Sequence, residues 1–116
     1  MLIRIDTASA VPLFEQVAAS VRGQVLAGRA TGGERLPPAR ELAASLDINV
    51  HTVLHAYQLL RDEGLVELRR GRGAVLTTSA DALSGLEKHV RALVDEAKRL
   101  GIGAATLTTL LQEEYR

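Results

Sequence analysis

The sequence predicts a mainly α-helical fold carrying one small β-hairpin, and three observations support it. Apolar residues recur every three or four positions along most of the chain. Two short apolar runs, Leu65-Val66-Glu67-Leu68-Arg69 and Ala74-Val75-Leu76-Thr77, flank the glycine-bearing tip Arg70-Gly71-Arg72-Gly73, the pattern of a hairpin. All three prolines, Pro12, Pro37 and Pro38, precede helical periodicity, where a missing amide proton costs nothing.

The 116 residues hold one ordinary domain, or a small domain with an appendage. The absence of cysteine excludes a disulfide framework and a thiolate metal site. The apolar content is too interrupted for a membrane span, and the first residues lack the succession of a secretory leader, so a cytoplasmic location is expected. Lys and Arg number 14, as do Asp and Glu. Residues 1–79 carry nine basic and eight acidic side chains and the remainder five and six, so neither part is globally basic. An anionic partner would have to be held by local clusters and by the positive ends of helices.

The elements follow in order. Met1 to Ile5 alternates weakly, as a short extended arm would. Leu13, Val17, Val21, Val25 and Leu26 form one helical face that closes at Gly28. Gly28 to Arg35 reads as loop. A short helix begins near Pro38 with Leu42, Ala43 and Leu46 on one side. Asp47-Ile48-Asn49 interrupts it, and the stripe resumes at Val53, Ala56, Tyr57 and Leu60 in a second helix capped by Asn49 and ending near Gly64. Two short helices across a tight turn make a helix-turn-helix, and the hairpin makes it winged. In that arrangement the second helix presents its N-terminal residues to a DNA major groove.

The joint is expected at Thr77-Thr78-Ser79, giving a winged helix-turn-helix over residues 1–78 and a helical region over 79–116. There Leu83, Leu86, Val90, Leu93, Ala97 and Leu100 are spaced 3, 4, 3, 4, 3, a coiled-coil-like seam. Gly101 ends that helix, and a shorter one follows with Leu107, Leu110 and Leu111 on one face. Two helices cannot enclose a core alone, so these nine residues are the expected interface of a homodimer.

The motifs Pro12-Leu13-Phe14-Glu15-Gln16-Val17, Gly33-Glu34-Arg35-Leu36-Pro37, Arg40-Glu41-Leu42-Ala43, Glu63-Gly64-Leu65-Val66 and Arg70-Gly71-Arg72-Gly73 resemble the GntR family of bacterial transcription regulators along the whole chain. The tail with Ala97-Lys98-Arg99-Leu100-Gly101-Ile102, and the Asn49 to Thr52 turn before Ala56-Tyr57, resemble its YtrA subfamily. The resemblance implies a dimeric regulator of transcription with a two-helix C-terminal region. Pro38 stands where the family commonly has Ser, so a side-chain cap is missing. Val50 and Leu54 stand where many relatives have Arg, which removes two guanine readers.

The expected DNA contacts are Arg40, Asn49, Val50, His51, Thr52 and His55 on the helix pair, with Arg69, Arg70, Gly71 and Arg72 at the hairpin tip. Arginine forks suit phosphates and guanine edges. Asn49 is first a cap, Val50 offers a methyl surface to thymine, and His51, Thr52 and His55 offer hydrogen bonds. His51 and His55 also have the spacing of a metal pair, but no third ligand is at hand, so no metal and no cofactor are expected. Catalysis finds no support: no phosphate-cradling loop precedes a helix and no serine has a nucleophile's setting. The rival reading, on Val50 and Leu54, is a winged helix used for protein contact. Any small-molecule effector would sit between subunits or near Thr77 to Ser84, and the sequence identifies none.

Overall fold

In the computed structural model, which describes all 116 residues, the order is α1 (Leu13–Leu26), α2 (Ala39–Leu46), α3 (Val50–Asp62), β1 (Val66–Arg69), β2 (Gly73–Leu76), α4 (Thr78–Arg99) and α5 (Ala104–Glu114). This is the winged helix-turn-helix followed by two helices. Contacts divide the chain into Met1–Gly85 and Leu86–Arg116.

In the first unit, α3 is the hub: it packs on α1, α2 and β1. Its inner stripe of Val53, Ala56, Tyr57 and Leu60 is buried, facing a core that includes Val17, Ala18, Val21 and Val25 of α1 and Leu42 and Ala43 of α2. Fully burying a side chain such as Leu60 contributes about 1.5–3 kcal/mol. The turn between α2 and α3 is closed at both ends. Asp47 takes the left-handed conformation, φ 55°, and the Ile48 N–H donates to the Ala43 carbonyl at 3.0 Å, while the Asn49 side chain accepts from the His51 N–H at 2.8 Å. Asp tolerates this backbone better than most residues, so three residues suffice to redirect the chain. Pro38 caps α2 without a side-chain hydrogen bond.

The hairpin pairs Val66 with Leu76 through Arg69 with Gly73, antiparallel. Gly71 lies at φ 81° in a turn closed by the Arg72 N–H on the Arg69 carbonyl. The sequence reading of Gly28 to Arg35 as loop is corrected at its end. Gly33 and Leu36 donate to the carbonyls of Leu76 and Ala74, and Leu76 donates to that of Glu34, with a bridge between Arg35 and Val75. Ala74, Val75 and Leu76 are all buried, so β2 needs partners on both edges, and the glycines of the connection let it supply the second.

The N-terminal arm forms no strand. Gln16, Ser20 and Gln24, four residues apart on α1, bond the arm's backbone: Gln16 accepts from Asp6 N–H, Ser20 from Arg4 N–H, and Gln24 donates to the Leu2 carbonyl. Ile3 is thereby buried in the core.

Thr77-Thr78-Ser79 is not a free joint. The Thr77 hydroxyl donates to the Gly64 carbonyl at 2.6 Å, α4 begins at Thr78, and the Asp81 carboxylate accepts from the Gly32 N–H at 3.0 Å. Ala80 is buried and Leu83 packs on the core. The seam residue Leu83 therefore belongs to the winged helix.

In the second unit, α4 ends at Gly101, φ 74°, where the Ile102 N–H bonds the Ala97 carbonyl at 2.8 Å. Ala97 is buried and Leu107 half-buried. Leu86, Val90, Leu93, Leu100, Leu110 and Leu111 are between 40 and 56% exposed. No helix is long and apolar enough to cross a membrane.

Two glycines should respond oppositely to alanine. A methyl at Gly23 within α1 meets nothing within 4 Å, so Gly23→Ala raises stability by about 0.5–1 kcal/mol. At Gly32 it would lie 2.9 Å from the Thr77 carbonyl oxygen and 2.8 Å from the Asp81 carboxylate, so Gly32→Ala lowers stability by about 1–3 kcal/mol. Urea unfolding of the two variants reads both signs.

Candidate nucleic-acid interface

Burying Val53, Ala56, Tyr57 and Leu60 leaves His51, Leu54, His55 and Gln58 along the opposite, exposed side of α3. These four share one face by helical spacing, and no carboxylate lies among them. Asn49 spends its side chain on the cap, Thr52 is half-buried, and Val50 is half-buried against the core, which limits the methyl surface it can offer. The His55 ring stacks on that of Phe14 from α1, centroids 3.9 Å apart and planes 15° apart.

The wing stands on the other side of this helix. A groove of about 450 Å³ separates them, lined by Leu54 and Gln58 of α3, Leu68 and Arg70 of the hairpin, Arg72 and Ala39. Leu54 and Leu68 are 40% and 45% exposed. Arg35 holds the tip in place, its Nε donating to the Arg72 carbonyl at 2.9 Å.

Ion pairs separate the arginines that are occupied from those that are free. Arg69 bonds Glu67 on the same strand at 3.0 Å, so it is the least available of the hairpin cations. Arg22 of α1 grips Glu63 at the end of α3, and that carboxylate raises the Arg22 pKa further above its ordinary value. Arg40, Arg70 and Arg72 take part in none of the ion pairs. Arg40 is exposed in the first turn of α2, and Arg70 and Arg72 are exposed at the tip around Gly71. Free guanidinium groups from two separate elements, together with an uncharged helix face, are suited to the phosphates that border a groove.

Residues 13–76 match the model of the bacterial regulatory proteins of the gntR family. The chain belongs to the GntR family. It is accordingly a DNA-binding transcriptional regulator, as the sequence resemblance implied. It is 30% identical over 118 residues to the HTH-type transcriptional repressor YtrA of Bacillus subtilis, covering 97% of this chain and 91% of that one. A solved structure of YtrA from Sulfolobus acidocaldarius, a GntR-family transcription factor, superposes with TM-score 0.62 at 29% identity, over 85% of this chain and 99% of that one. The DNA-binding domain of AraR, solved in complex with operator ORX1, shares the fold, with TM-score 0.57 at 21% identity over 64% of this chain and 92% of that one.

Within this GntR domain, two residues at the site, Gln58 and Arg35, escaped the sequence reading. Gln58 was legible, since positions 51, 54, 55 and 58 are as regular as the buried stripe beside them. Arg35 was not, because its role depends on where the wing folds back. Tyr57, read as a packing residue, is buried, and its hydroxyl donates to the Pro37 carbonyl at 2.6 Å, fixing the approach to α2.

Burial pushes the Tyr57 phenol up, so the folded chain keeps that proton above the ordinary value near 10 while the unfolded chain releases it. The associated stability is complete below pH ~10 and lost as pH rises beyond it. Tyr57→Phe should cost about 1 kcal/mol at pH 8. The gap to the parent protein should narrow at pH ~10.5, as read by urea unfolding at both values.

Proposed function

We propose that the chain is a cytoplasmic homodimeric repressor, in which each subunit sets the N-terminal half of α3 in a major groove of a pseudo-palindromic operator. The observation that carries this reading is the uncharged face of His51, Leu54, His55 and Gln58 flanked by the unpaired Arg40 on one element and Arg70 and Arg72 on another. Arg40 and the tip around Gly71 hold phosphates or the minor-groove edge, and Thr52 and the Asn49 cap lie at the helix end nearest the bases. Arg69 must leave its ion pair with Glu67 before it can reach a phosphate. Repression, the activity in the name of the Bacillus YtrA relative, would here follow from occupying promoter DNA.

The exposed Leu86, Val90, Leu93, Leu100, Leu110 and Leu111 support pairing of two copies through the second unit. Single exposed apolar residues are ordinary, whereas six on two adjoining helices make a patch that wants a partner. Leu107 and Ala97 hold those helices in place beneath it. A small-molecule effector would bind between the subunits or near Thr77 to Ser84. The rival reading, a winged helix for protein contact, draws on the exposed Leu54 and Leu68 in the groove.

Binding of the whole protein to DNA upstream of its own coding sequence, against a shuffled fragment across a salt series, tests this proposal. The native fragment should bind tighter by about 10³-fold or more. Arg40→Ala should weaken binding and flatten the logarithmic salt slope by about two units, one for each subunit of the dimer. Leu93→Asp should shift the sedimenting species from dimer to monomer and weaken operator binding with helix content unchanged. Equal weak binding to both fragments, indifferent to Arg40, would favour the protein-contact reading.

A further inference from the structure

We infer that Phe14 is a positioning residue for DNA reading: its ring fixes the plane of the His55 imidazole and so selects which base edge that histidine can bond. The inference rests on the DNA-reading face proposed above. His55 is the member of that face with an aromatic partner, at 3.9 Å and 15°, and it is otherwise exposed. Phe14 is half-buried and packs on the core, one helical turn before the buried Val17 and Ala18, so its ring is anchored by the body of the domain. Both imidazole nitrogens direct their hydrogen bonds in the ring plane. A stacked ring covers one face of the histidine and leaves its rim free, restricting those bonds to a narrow sheet of directions. An exposed histidine without such a partner would sample several rotamers and surrender that freedom on binding. His51, one turn earlier on the same face, has no stacking partner, so the discriminating contact falls to His55.

The neighbouring surface agrees with this assignment. Leu13, Phe14, Asn49, His51, Thr52 and His55 border one shallow depression, which brings the start of α1 beside the start of α3. Phe14 thus stands at the reading end of the helix, although it belongs to neither helix of the helix-turn-helix.

The test uses the full chain and a duplex carrying the operator mapped from its upstream DNA, each single base-pair replacement of that duplex, and a shuffled duplex. His55→Ala should erase a preference of roughly tenfold at one base-pair position per half-site. Phe14→Leu, which keeps apolar volume but not the ring, should reduce the preference at that same position to about threefold or less and leave affinity for the shuffled duplex unchanged. Phe14→Tyr should retain it, and Phe14→Leu added to His55→Ala should cause no further change at that position. A uniform loss across every duplex would assign Phe14 a structural role only and overturn the inference. So would full retention of the preference in Phe14→Leu. A parent protein without preference for any duplex would refute the DNA-reading proposal itself, and that arm separates the two failures.

Discussion

Burial of one face of α3 is the constraint on which the rest of the DNA-binding unit depends. Val53, Ala56, Tyr57 and Leu60 can be covered only from α1, α2 and the hairpin together, and covering them leaves one rotation for the helix. That rotation decides which residues face outward. It also sets the wing beside the helix, because Leu65 and Val66 enter the core directly after the Gly64 turn. Free cations from elements far apart in sequence accompany the outward face, Arg40 at the start of α2 and Arg70 and Arg72 at the hairpin tip.

Charge placement resolves the difficulty posed by a net charge of zero. Several arginines are neutralised locally, by Glu63, Glu67, Asp62, Glu87, Glu96 and Glu113. Arg40, Arg70 and Arg72 stand outside these six ion pairs, so their charge is free for an anionic partner. A balanced chain binds non-specific DNA modestly and leaves more of the discrimination to shape and base contact. The apolar residues at positions 50 and 54 push in the same direction, since they take two charges out of the helix itself.

The helices, their caps and the hairpin were legible because each depends on local rules: the prolines before α1 and α2, the Asn49 cap, the glycines at 28, 64 and 101, and the three-to-four spacing. What the sequence concealed depends on distant contacts. The pairing of Gly33–Leu36 with β2 follows from a strand buried along its length, and the docked arm follows from polar side chains on α1 whose partners are backbone atoms. Leu83 fitted the heptad seam in spacing, yet it packs on the winged-helix core, because α4 starts inside that unit, tied by Gly32 to Asp81. The same limit applied to the reading face: the His55 stack on Phe14 joins residues 41 positions apart, and no periodicity announces it.

The most direct test of the central claim, that two copies of α3 enter major grooves on one face of DNA, is a hydroxyl-radical footprint of the intact protein on its upstream fragment. Two protected patches related by a twofold axis, centred about 34 Å or a multiple of it apart, are expected, both lost in the Leu93→Asp protein at the same concentration. A single protected patch that survives Leu93→Asp, or uniform protection along the fragment, would contradict that claim.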